Sequence, residues 1–510
     1  MYGLCSVFQR PETLVNIQTI FMKRSTIRWW VNFNFAILSG WFAVQQAAVV
    51  HANASPLTGN ATFVCVSSRD PRYFELTDGK PYIPIGFNLV GPPDAADLER
   101  VVETMARHGV NYCRIWLDQP LWSIEHKQSG QYDSEKAKEL DRFLGLCRSR
   151  GIRVKMCIES FRSIVAKQSD APEKSAFPKV LHHIANGGFY RDMTDFLTNE
   201  LGRAQFKRKI QWYANRYGDD PAVFAWELWN EMNAVRGPWY PWTVEMLPEL
   251  KRRFPKNLAV QSLGSFDRDG ARVSYRQLCE IPDNDVLQVH RYLDLGAVLP
   301  VCHGPVDILA ADAVKELRAF GVRKPIILAE TGAVKPKHTG ASELYEKDKA
   351  GMLLHDMLFA PFFAGAAGPG HVWFWRQAID QPNLWHHFER FKSAVEGIDP
   401  PAEGFEPAEV SHPALRIYVL NGKQTTLAWC RDRRNDWQTE LRDGQPPQRL
   451  SGIELDLTRL DQRLDIKTAM VEVFDPWRNH WTSVSIEGPR FKVPDFERSL
   501  VFRIKRGKKG

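Results

Sequence analysis

The sequence predicts an α/β protein, a (β/α)8 TIM barrel followed by a small C-terminal all-β sandwich domain. Three observations predict this fold. Between residues 75 and 400, short apolar runs alternate with helical segments, which is the pattern of a parallel sheet covered by helices. Eight such runs occur, the number that closes a barrel. A polar, proline-rich stretch at 399–407 then leads into short apolar runs without a helical period.

The composition is that of a soluble globular protein. Of the 510 residues, 44% are hydrophobic and 25% are charged, which excludes a disordered chain, a collagen and a multi-span membrane protein. The formal net charge of +7 is concentrated in the first 54 and the last eight residues, so the body of the chain is close to neutral. A neutral body argues against nucleic acid as a partner.

Residues 1–54 are predicted to be a signal peptide with an N-terminal extension. Lys23 and Arg24 begin a positive segment, residues 35–44 form an apolar run, and residues 52–54 (Ala-Asn-Ala) fit a small-x-small cleavage site. The apolar run is short for a transmembrane helix, so we expect no stable membrane insertion after the leader is removed. The pattern predicts a secreted or periplasmic protein, with an uncleaved membrane anchor as the alternative.

The barrel is predicted to span residues 55–400 and to begin with a hairpin that turns at Asp78-Gly79. Its strands are predicted at 83–88, 111–117, 153–159, 223–230, 258–263, 286–291, 325–329 and 371–375. Helices are predicted at 94–108, 134–150, 202–217, 310–320 and 384–395, and a long irregular stretch at 160–200. A doubly wound open sheet would carry a glycine-rich phosphate loop after its first strand, but Asn88-Leu-Val-Gly91-Pro-Pro is not such a loop.

The C-terminal domain is predicted to span residues 408–506. Its strands are expected at 415–420, 425–431, 453–457, 469–474 and 499–504, with turn residues between them. No catalytic motif is recognisable in this segment, so the chemistry is expected in the barrel.

Polar and aromatic residues stand at the carboxyl ends of the predicted barrel strands, the end at which barrels of this kind place their active sites. These residues are Asp118, Glu159, Asn230, Glu231, His290, Tyr292, Glu330 and Trp375, with Arg114 slightly deeper on strand 2. Strands 4 and 7 face each other across an eight-stranded barrel, so Glu231 and Glu330 can point into one cleft. Glu227 shares the parity of Glu231 but lies deeper, and we expect it to be a buried structural group.

Two carboxyl groups in one cleft are what hydrolysis of a glycosidic bond requires. One carboxylic acid protonates the leaving oxygen while the other group meets the anomeric carbon. At about 5–5.5 Å the second group attacks directly and the anomer is retained, whereas at about 6.5–9.5 Å a water molecule fits between and the anomer is inverted. The acid needs a partly apolar wall, for which Trp229 is a candidate, and its ionised partner needs a cation, for which Arg114 is a candidate.

The region from about 74 to 395 resembles the cellulase-like enzymes of glycoside hydrolase family 5, within clan A. The run from Trp226 to Glu231 (Trp-Glu-Leu-Trp-Asn-Glu) is similar to the clan's acid/base motif, in the form common in β-mannanases. Glu330, followed by Thr-Gly, is similar to the strand-7 nucleophile motif. One departure is visible, because strand 3 ends in Glu159-Ser160 where many relatives carry a histidine.

The resemblance also implies roles for residues around the two carboxylates. Arg114 would brace the nucleophile, and Tyr292 of the strand-6 His290-Arg-Tyr motif would support it. Asn230 would bind the sugar 2-hydroxyl. Trp375 would form the floor of the sugar subsite beside the scissile bond, with Trp373 as the nearby alternative.

Together these observations predict a retaining glycoside hydrolase that cleaves O-glycosidic bonds of a β-linked glycan, of β-mannan or β-glucan type, by double displacement. The predicted catalytic residues are Glu231 and Glu330, and the predicted substrate-binding residues are Arg114, Asn230, His290, Tyr292 and Trp375. The expected partner is an oligo- or polysaccharide, the expected cofactors and metals are none, and the expected oligomeric state is a monomer.

Two alternatives remain open. A metal-dependent hydrolase on the same barrel would need converging histidine and carboxylate ligands, but no His-x-His stands on a predicted strand. A non-catalytic carbohydrate-binding barrel protein is the other alternative. A decayed enzyme usually loses one carboxylate first, and here both are present.

Overall fold

A small antiparallel sheet precedes the barrel in the computed structural model, which describes residues 61–91, 94–160, 181–235 and 237–507. Its strands are Val64–Val66, Phe74–Leu76 and Pro81–Tyr82. The predicted Asp78-Gly79 turn is confirmed, with Gly79 at a φ of 84°. Phe74 packs edge-on against Phe224, at a ring distance of 5.2 Å, near the start of the fourth barrel strand. The sheet therefore covers the N-terminal end of the barrel, away from the catalytic candidates. The predicted leader lies outside the described residues.

Seven parallel strands form the barrel. They are β1 Gly86–Asn88, β2 Tyr112–Trp116, β3 Arg153–Glu159, β4 Val223–Trp229, β5 Leu258–Val260, β6 Leu287–His290 and β7 Ile326–Glu330. The first five pair in chain order, and β6 pairs with β7. Single backbone hydrogen bonds join β5 to the β6 side, such as Asp285 N–H to Ala259 O at 2.9 Å. The strand order of the predicted (β/α)8 barrel is therefore confirmed.

The predicted eighth strand at 371–375 is reduced to one residue. Val372 bridges Thr331 in parallel and accepts a hydrogen bond from Asn88 N–H at 3.0 Å, so it still connects β7 to β1. Glycines on its N-terminal side explain the shortness. A Cβ at Gly370 would lie 2.5 Å from the Met357 carbonyl oxygen, which shows how closely the backbone passes a covering helix.

Twelve helices lie in the described residues. They are α1 Leu98–Arg107, α2 Ala137–Ser149, α3 Met193–Thr198, α4 Glu200–Tyr217, α5 Trp239–Arg253, α6 Ala271–Glu280, α7 Val306–Arg318, α8 Leu344–Lys347, α9 Met352–Phe363, α10 His386–Val395, α11 Pro400–Glu403 and α12 Leu457–Leu460. Every residue of α9 is buried. None of these helices is both long and apolar enough to span a membrane.

The C-terminal region is a six-stranded antiparallel sheet with two small ribbons on one face. The strands of the sheet, in spatial order, are Glu406–Ser411, Leu415–Asn421, Thr425–Asp432, Ser499–Lys505, Met470–Asp475 and His480–Val484. The ribbons pair Arg449–Leu450 with Phe496–Glu497 and Glu454–Asp456 with Arg490–Lys492. The ribbons form the second layer of the predicted sandwich.

Alternating residues of the six-stranded sheet face two different cores. Tyr418 and Trp429 join the hydrophobic core of the barrel, whereas Val419, Ala428 and Phe502 join a second core beneath the ribbons. This alternation follows the two-residue period of a strand. The sheet is consequently covered on both faces, with α7 and α9 of the barrel on one side.

Candidate active site

The two carboxylates at the ends of β4 and β7 meet, as the sequence predicted. One oxygen of Glu231, one oxygen of Glu330 and one ring nitrogen of His290 all lie within 4.8 Å of one another. His290 Nδ1 is 3.1 Å from Glu231 Oε1 and 3.3 Å from Glu330 Oε2. Glu231 is 1% exposed and Glu330 is 2% exposed. The three residues thus form a buried acidic pair with an imidazole between the two groups.

Arg114 on β2 is the centre of the hydrogen-bond network. Its guanidinium donates two bonds to Glu227, at 2.7 and 2.9 Å, and one to Glu330 Oε1 at 2.6 Å. It also donates to Asn230 Oδ1 at 2.7 Å and to Asn88 Oδ1 at 3.2 Å. Burial lowers the pKa of Arg114, but the carboxylates of Glu227 and Glu330 outweigh burial and raise it well above its ordinary value. Arg114 therefore remains a fixed cation.

Both oxygens of Glu330 accept strong hydrogen bonds. Oε1 accepts the bond from Arg114, and Oε2 accepts a bond of 2.6 Å from the hydroxyl of Tyr292, which lies just beyond β6. Charge-assisted bonds of this length are about twice as strong as neutral ones. The two donors stabilise the ionised form of Glu330 and fix the direction of its carboxylate.

Glu231 lies in a strained backbone conformation. Its φ of 51° and ψ of 52° place it in the left-handed region, which side chains other than glycine and asparagine rarely adopt. The hydroxyl of Ser262, just after β5, accepts a hydrogen bond from the Glu231 N–H at 3.1 Å. The Ser262 carbonyl accepts another from the Met232 N–H at 3.1 Å. These two bonds fix the sharp turn of the chain at the end of β4 against the segment that follows β5.

A buried ionic layer supports the site from below. Glu227 is fully buried, as the sequence predicted, and its Oε2 is 3.5 Å from Lys155 Nζ on β3. Burial alone would raise the pKa of Glu227, but the charges of Arg114 and Lys155 outweigh it and lower the pKa to about 2. Burial lowers the pKa of Lys155 to about 8. Glu227 is consequently an anion that compensates the charge of Arg114. The same guanidinium still has a donor for Glu330.

The structure places the two predicted tryptophans differently from the expectation. Trp375 is 1% exposed, its Nε1 donates to Val90 O at 3.1 Å, and its ring packs on Phe87, so neither face is available to a sugar. Trp373 is half-buried, and its backbone N–H donates a hydrogen bond of 2.9 Å to the carbonyl of Thr331, the residue after Glu330. The prediction of Trp375 is therefore corrected: Trp373, the alternative, is the tryptophan that lies beside the nucleophile candidate.

Asp118 and Glu159 lie outside the carboxylate pair. Asp118 Oδ2 accepts a bond from the Ser160 N–H at 2.9 Å, and Glu159 accepts one from the Lys209 ammonium. A second group of potential ligands, formed by Glu125, Glu159 and His182, lies within 4.8 Å. Lys209 Nζ contacts both of its carboxylates, so an ammonium already supplies the positive charge that a metal would bring.

Several supporting residues were not singled out by sequence reasoning. Asn88 ends β1 and could have been found by the same strand-end rule that found the others. Lys155 lies inside an otherwise apolar strand, where a lysine is itself a signal of an ionic partner. Ser262 lies in an apolar run, and nothing in the sequence distinguishes it from an ordinary small core residue.

Comparisons with known proteins identify the family of the chain. The model of the Cellulase family (glycosyl hydrolase family 5) matches residues 77–353, more than half of the chain. Mannan endo-1,4-beta-mannosidase 3 of Oryza sativa subsp. japonica is 25% identical over 422 residues, which cover 72% of this chain and 83% of the relative. Mannan endo-1,4-beta-mannosidase 7 of Arabidopsis thaliana is 24% identical, over 59% of this chain and 76% of the relative.

Solved structures share the fold. A glycoside hydrolase family 5 protein from Bacteroides vulgatus ATCC 8482 superposes with a TM-score of 0.58 at 12% identity, covering 87% of this chain and 93% of that chain. A second glycoside hydrolase superposes with a TM-score of 0.55, also at 12% identity, over 88% of this chain and 98% of that chain. The chain therefore belongs to glycosyl hydrolase family 5, the cellulase family, and is an O-glycosyl hydrolase.

Proposed function

We propose that this enzyme is a retaining β-glycosidase that cleaves a β-mannan-type glycan by double displacement. The proposal rests on the short separation of the two carboxyl groups. One oxygen of Glu231 lies within 4.8 Å of one oxygen of Glu330. That distance suits direct attack by one carboxylate, because an inverting pair needs about 6.5–9.5 Å to admit a water molecule. The substrate class rests on the two plant relatives, both of which are mannan endo-1,4-beta-mannosidases.

In the first step, a carboxylate oxygen of Glu330 attacks the anomeric carbon. The bond from that carbon to the leaving oxygen breaks as Glu231 donates its proton to that oxygen. In the second step, Glu231, now a carboxylate, removes a proton from a water molecule. The water oxygen attacks the same carbon, the bond to Glu330 breaks, and the sugar leaves with its original anomeric configuration.

Neighbouring residues assign the two carboxylates to different roles. Glu330 is the nucleophile because Arg114 and Tyr292 donate to both of its oxygens and stabilise its charge. Asn230 binds the sugar 2-hydroxyl, since Arg114 holds its carbonyl oxygen and thereby fixes the amide. His290 contacts both carboxylates and orients them towards one another. Trp373, in place of Trp375, stacks on the sugar next to the scissile bond.

A metal-dependent hydrolysis is the second candidate, because Glu231, His290 and Glu330 could together hold a cation. The charge around Glu330 disfavours it. The Arg114 guanidinium lies 2.6 Å from Oε1 and Tyr292 occupies Oε2, so a cation would have to displace a donor and approach a fixed positive charge. We expect full activity after treatment with excess chelator, and loss of activity that a divalent metal restores would favour the metal mechanism.

Trapping with 2-fluoro sugars tests the assignment of the nucleophile. We expect an activated 2-fluoro mannoside to label the peptide that contains Glu330, as read by mass spectrometry, and to label it faster than the corresponding glucoside. Glu330→Gln should abolish both the labelling and turnover. The matched control is Glu409→Gln, which changes an exposed carboxylate on the C-terminal sheet. A label on another residue, or inversion of the product anomer by NMR, would overturn the proposal.

We also propose that the enzyme is exported. The support is the positive segment, apolar run and Ala-Asn-Ala site within residues 22–54. Expression of the full chain in a secreting host, with N-terminal sequencing of the product, should give a mature protein that begins at Ser55. A product that keeps residues 35–44 and partitions with membranes would instead indicate an uncleaved anchor.

A further inference from the structure

The backbone at Glu231 needs an external restraint. A residue with a Cβ in the left-handed region is less stable there than in the helical or extended regions, so the turn would relax without partners. Relaxation would rotate the Cα–Cβ bond of Glu231 and swing its carboxyl group away from Glu330. The direction of the carboxyl group therefore depends on whatever holds this turn.

Ser262 supplies that restraint through two consecutive amides. Its hydroxyl accepts from the N–H of Glu231 and its carbonyl accepts from the N–H of Met232, each at 3.1 Å. The next turn residue is held by the same segment, since Asn233 Oδ1 accepts a bond of 2.7 Å from the Gly264 N–H. Residues 262–264 thus form a template on which the turn is fixed.

Ser262 is itself buried and hydrogen-bonded. Its exposed fraction is 0%, so water cannot replace its hydroxyl. Its carbonyl also accepts a hydrogen bond of 2.6 Å from the side-chain amide of Gln261.

We propose that Ser262 is a positioning residue for the general acid/base. By fixing the left-handed turn, it aims the Glu231 carboxyl group at the glycosidic oxygen and sets its distance from Glu330. This inference rests on the proposed roles of Glu231 and Glu330. Ser262 is buried and acts through the backbone of Glu231 and Met232, so it takes no part in the bond changes of the reaction.

Leaving-group dependence tests the inference, because only a poor leaving group needs its proton from Glu231. We expect Ser262→Ala to lower kcat/KM for an unactivated manno-oligosaccharide by about 10- to 100-fold, since a misplaced acid loses part of its usual contribution. For a 2,4-dinitrophenyl β-mannoside, which departs without protonation, kcat/KM should change by less than about 3-fold. Ser262→Thr retains the hydroxyl and should restore most of the activity on the oligosaccharide.

The controls separate this inference from the proposed function. Ser265→Ala removes a nearby hydroxyl that has no hydrogen-bond partner among the described residues, and should leave both rates unchanged. Glu231→Gln should show the same selectivity as Ser262→Ala, only stronger. If Glu231→Gln shows no selectivity, the acid/base assignment is wrong. If Glu231→Gln is selective but Ser262→Ala lowers both rates equally, Ser262 is merely structural and the inference is overturned.

Discussion

At the scale of single residues, both carboxylate oxygens of Glu330 are restrained. Each of its oxygens accepts a bond of 2.6 Å, one from a cation and one from a phenol. In the proposed reaction one oxygen must lose negative charge as it bonds to carbon. The two donors therefore have to keep the group ionised without competing too strongly for the attacking oxygen.

Tyr292→Phe measures the weaker of these two restraints. The change removes the bond to Oε2 and leaves the Arg114 bond in place. A hydrogen bond to a charged group contributes about 1.5–3 kcal/mol, so we expect kcat/KM to fall by about 10- to 100-fold. The thermal stability should change little. A variant with unaltered kcat/KM would show that Tyr292 does not support the nucleophile.

The buried Glu227 should give the stability of the enzyme a specific pH dependence. Its pKa is lowered from 4.5 to about 2, so its stabilising contribution is complete above pH 4.5 and is lost as the pH falls through 2. The contribution should fall from about 3 kcal/mol at pH 6 to about 1 kcal/mol at pH 3. Urea unfolding of the wild type and of Glu227→Gln measures this.

The expected result is a difference in unfolding free energy between the two proteins that narrows by about 2 kcal/mol from pH 6 to pH 3. Glutamine does not titrate, so the difference isolates the carboxylate from other acidic groups. A difference that stays constant over this range would mean that Glu227 has no lowered pKa in the folded protein.

The residues at the strand ends were predictable because their placement follows from one rule. Polar side chains at the carboxyl ends of barrel strands converge, and this placed Glu231, Glu330, His290 and Tyr292 together. The restraints on them were not predictable. Ser262 is a small residue in an apolar run, and its importance depends on a left-handed turn that appears only once the backbone of β4 meets the end of β5.

At the scale of elements, the prediction succeeded for β1 to β7 and failed where the usual patterns are absent. Helix α9 is buried on all sides and has no polar face, so it shows no helical period. Helix α5 contains Pro248, a residue that normally ends a helix, so the sequence does not indicate a continuous helix there. The expected eighth strand gave way to a single bridging residue, because glycines before it allow the backbone to pass close to α9.

The shortness of that segment decides which tryptophan stays partly exposed. Immediately after the Val372 bridge the chain turns, so that Trp373 stays half-buried beside Trp116, at a ring distance of 4.9 Å. Trp375 instead packs into the core. A full strand would have continued the alternation and placed both residues on one side of the sheet.

Substitution of the two tryptophans should therefore have opposite consequences. We expect Trp373→Ala to lower kcat/KM on manno-oligosaccharides by about 10-fold through the lost ring contact, with little loss of stability. Trp375→Ala should instead destabilise the fold by about 3–5 kcal/mol because it opens a cavity. Oligosaccharide kinetics and urea unfolding measure the two effects. A stable Trp375→Ala variant with weakened substrate binding would show that Trp375, and not Trp373, stacks on the sugar.

At the scale of the whole molecule, the C-terminal sheet completes the core of the barrel. The sequence predicted a separate domain after a stiff linker, and its boundaries at 400 and 408 stay a prediction. Between sheet and barrel, Arg431 pairs with Asp356 of α9 through bonds of 2.9 and 3.2 Å, and Arg416 pairs with Asp307 of α7 at 2.6 and 3.0 Å. These ion pairs are buried, so the loss of one partner would leave the other as an uncompensated charge in the core.

We expect the barrel and the sheet to unfold together. Helix α9 is buried between them, and removal of the sheet would expose its apolar residues to water, so neither part keeps its core alone. Arg431→Leu leaves Asp356 buried without its cation and should cost about 3–5 kcal/mol, whereas the double variant Arg431→Leu/Asp356→Leu should recover most of that loss. Urea unfolding monitored by tryptophan fluorescence should show one transition for each protein. Two separate transitions, of which Arg431→Leu shifts only the one that reports the sheet, would mean that the C-terminal region unfolds as an independent domain.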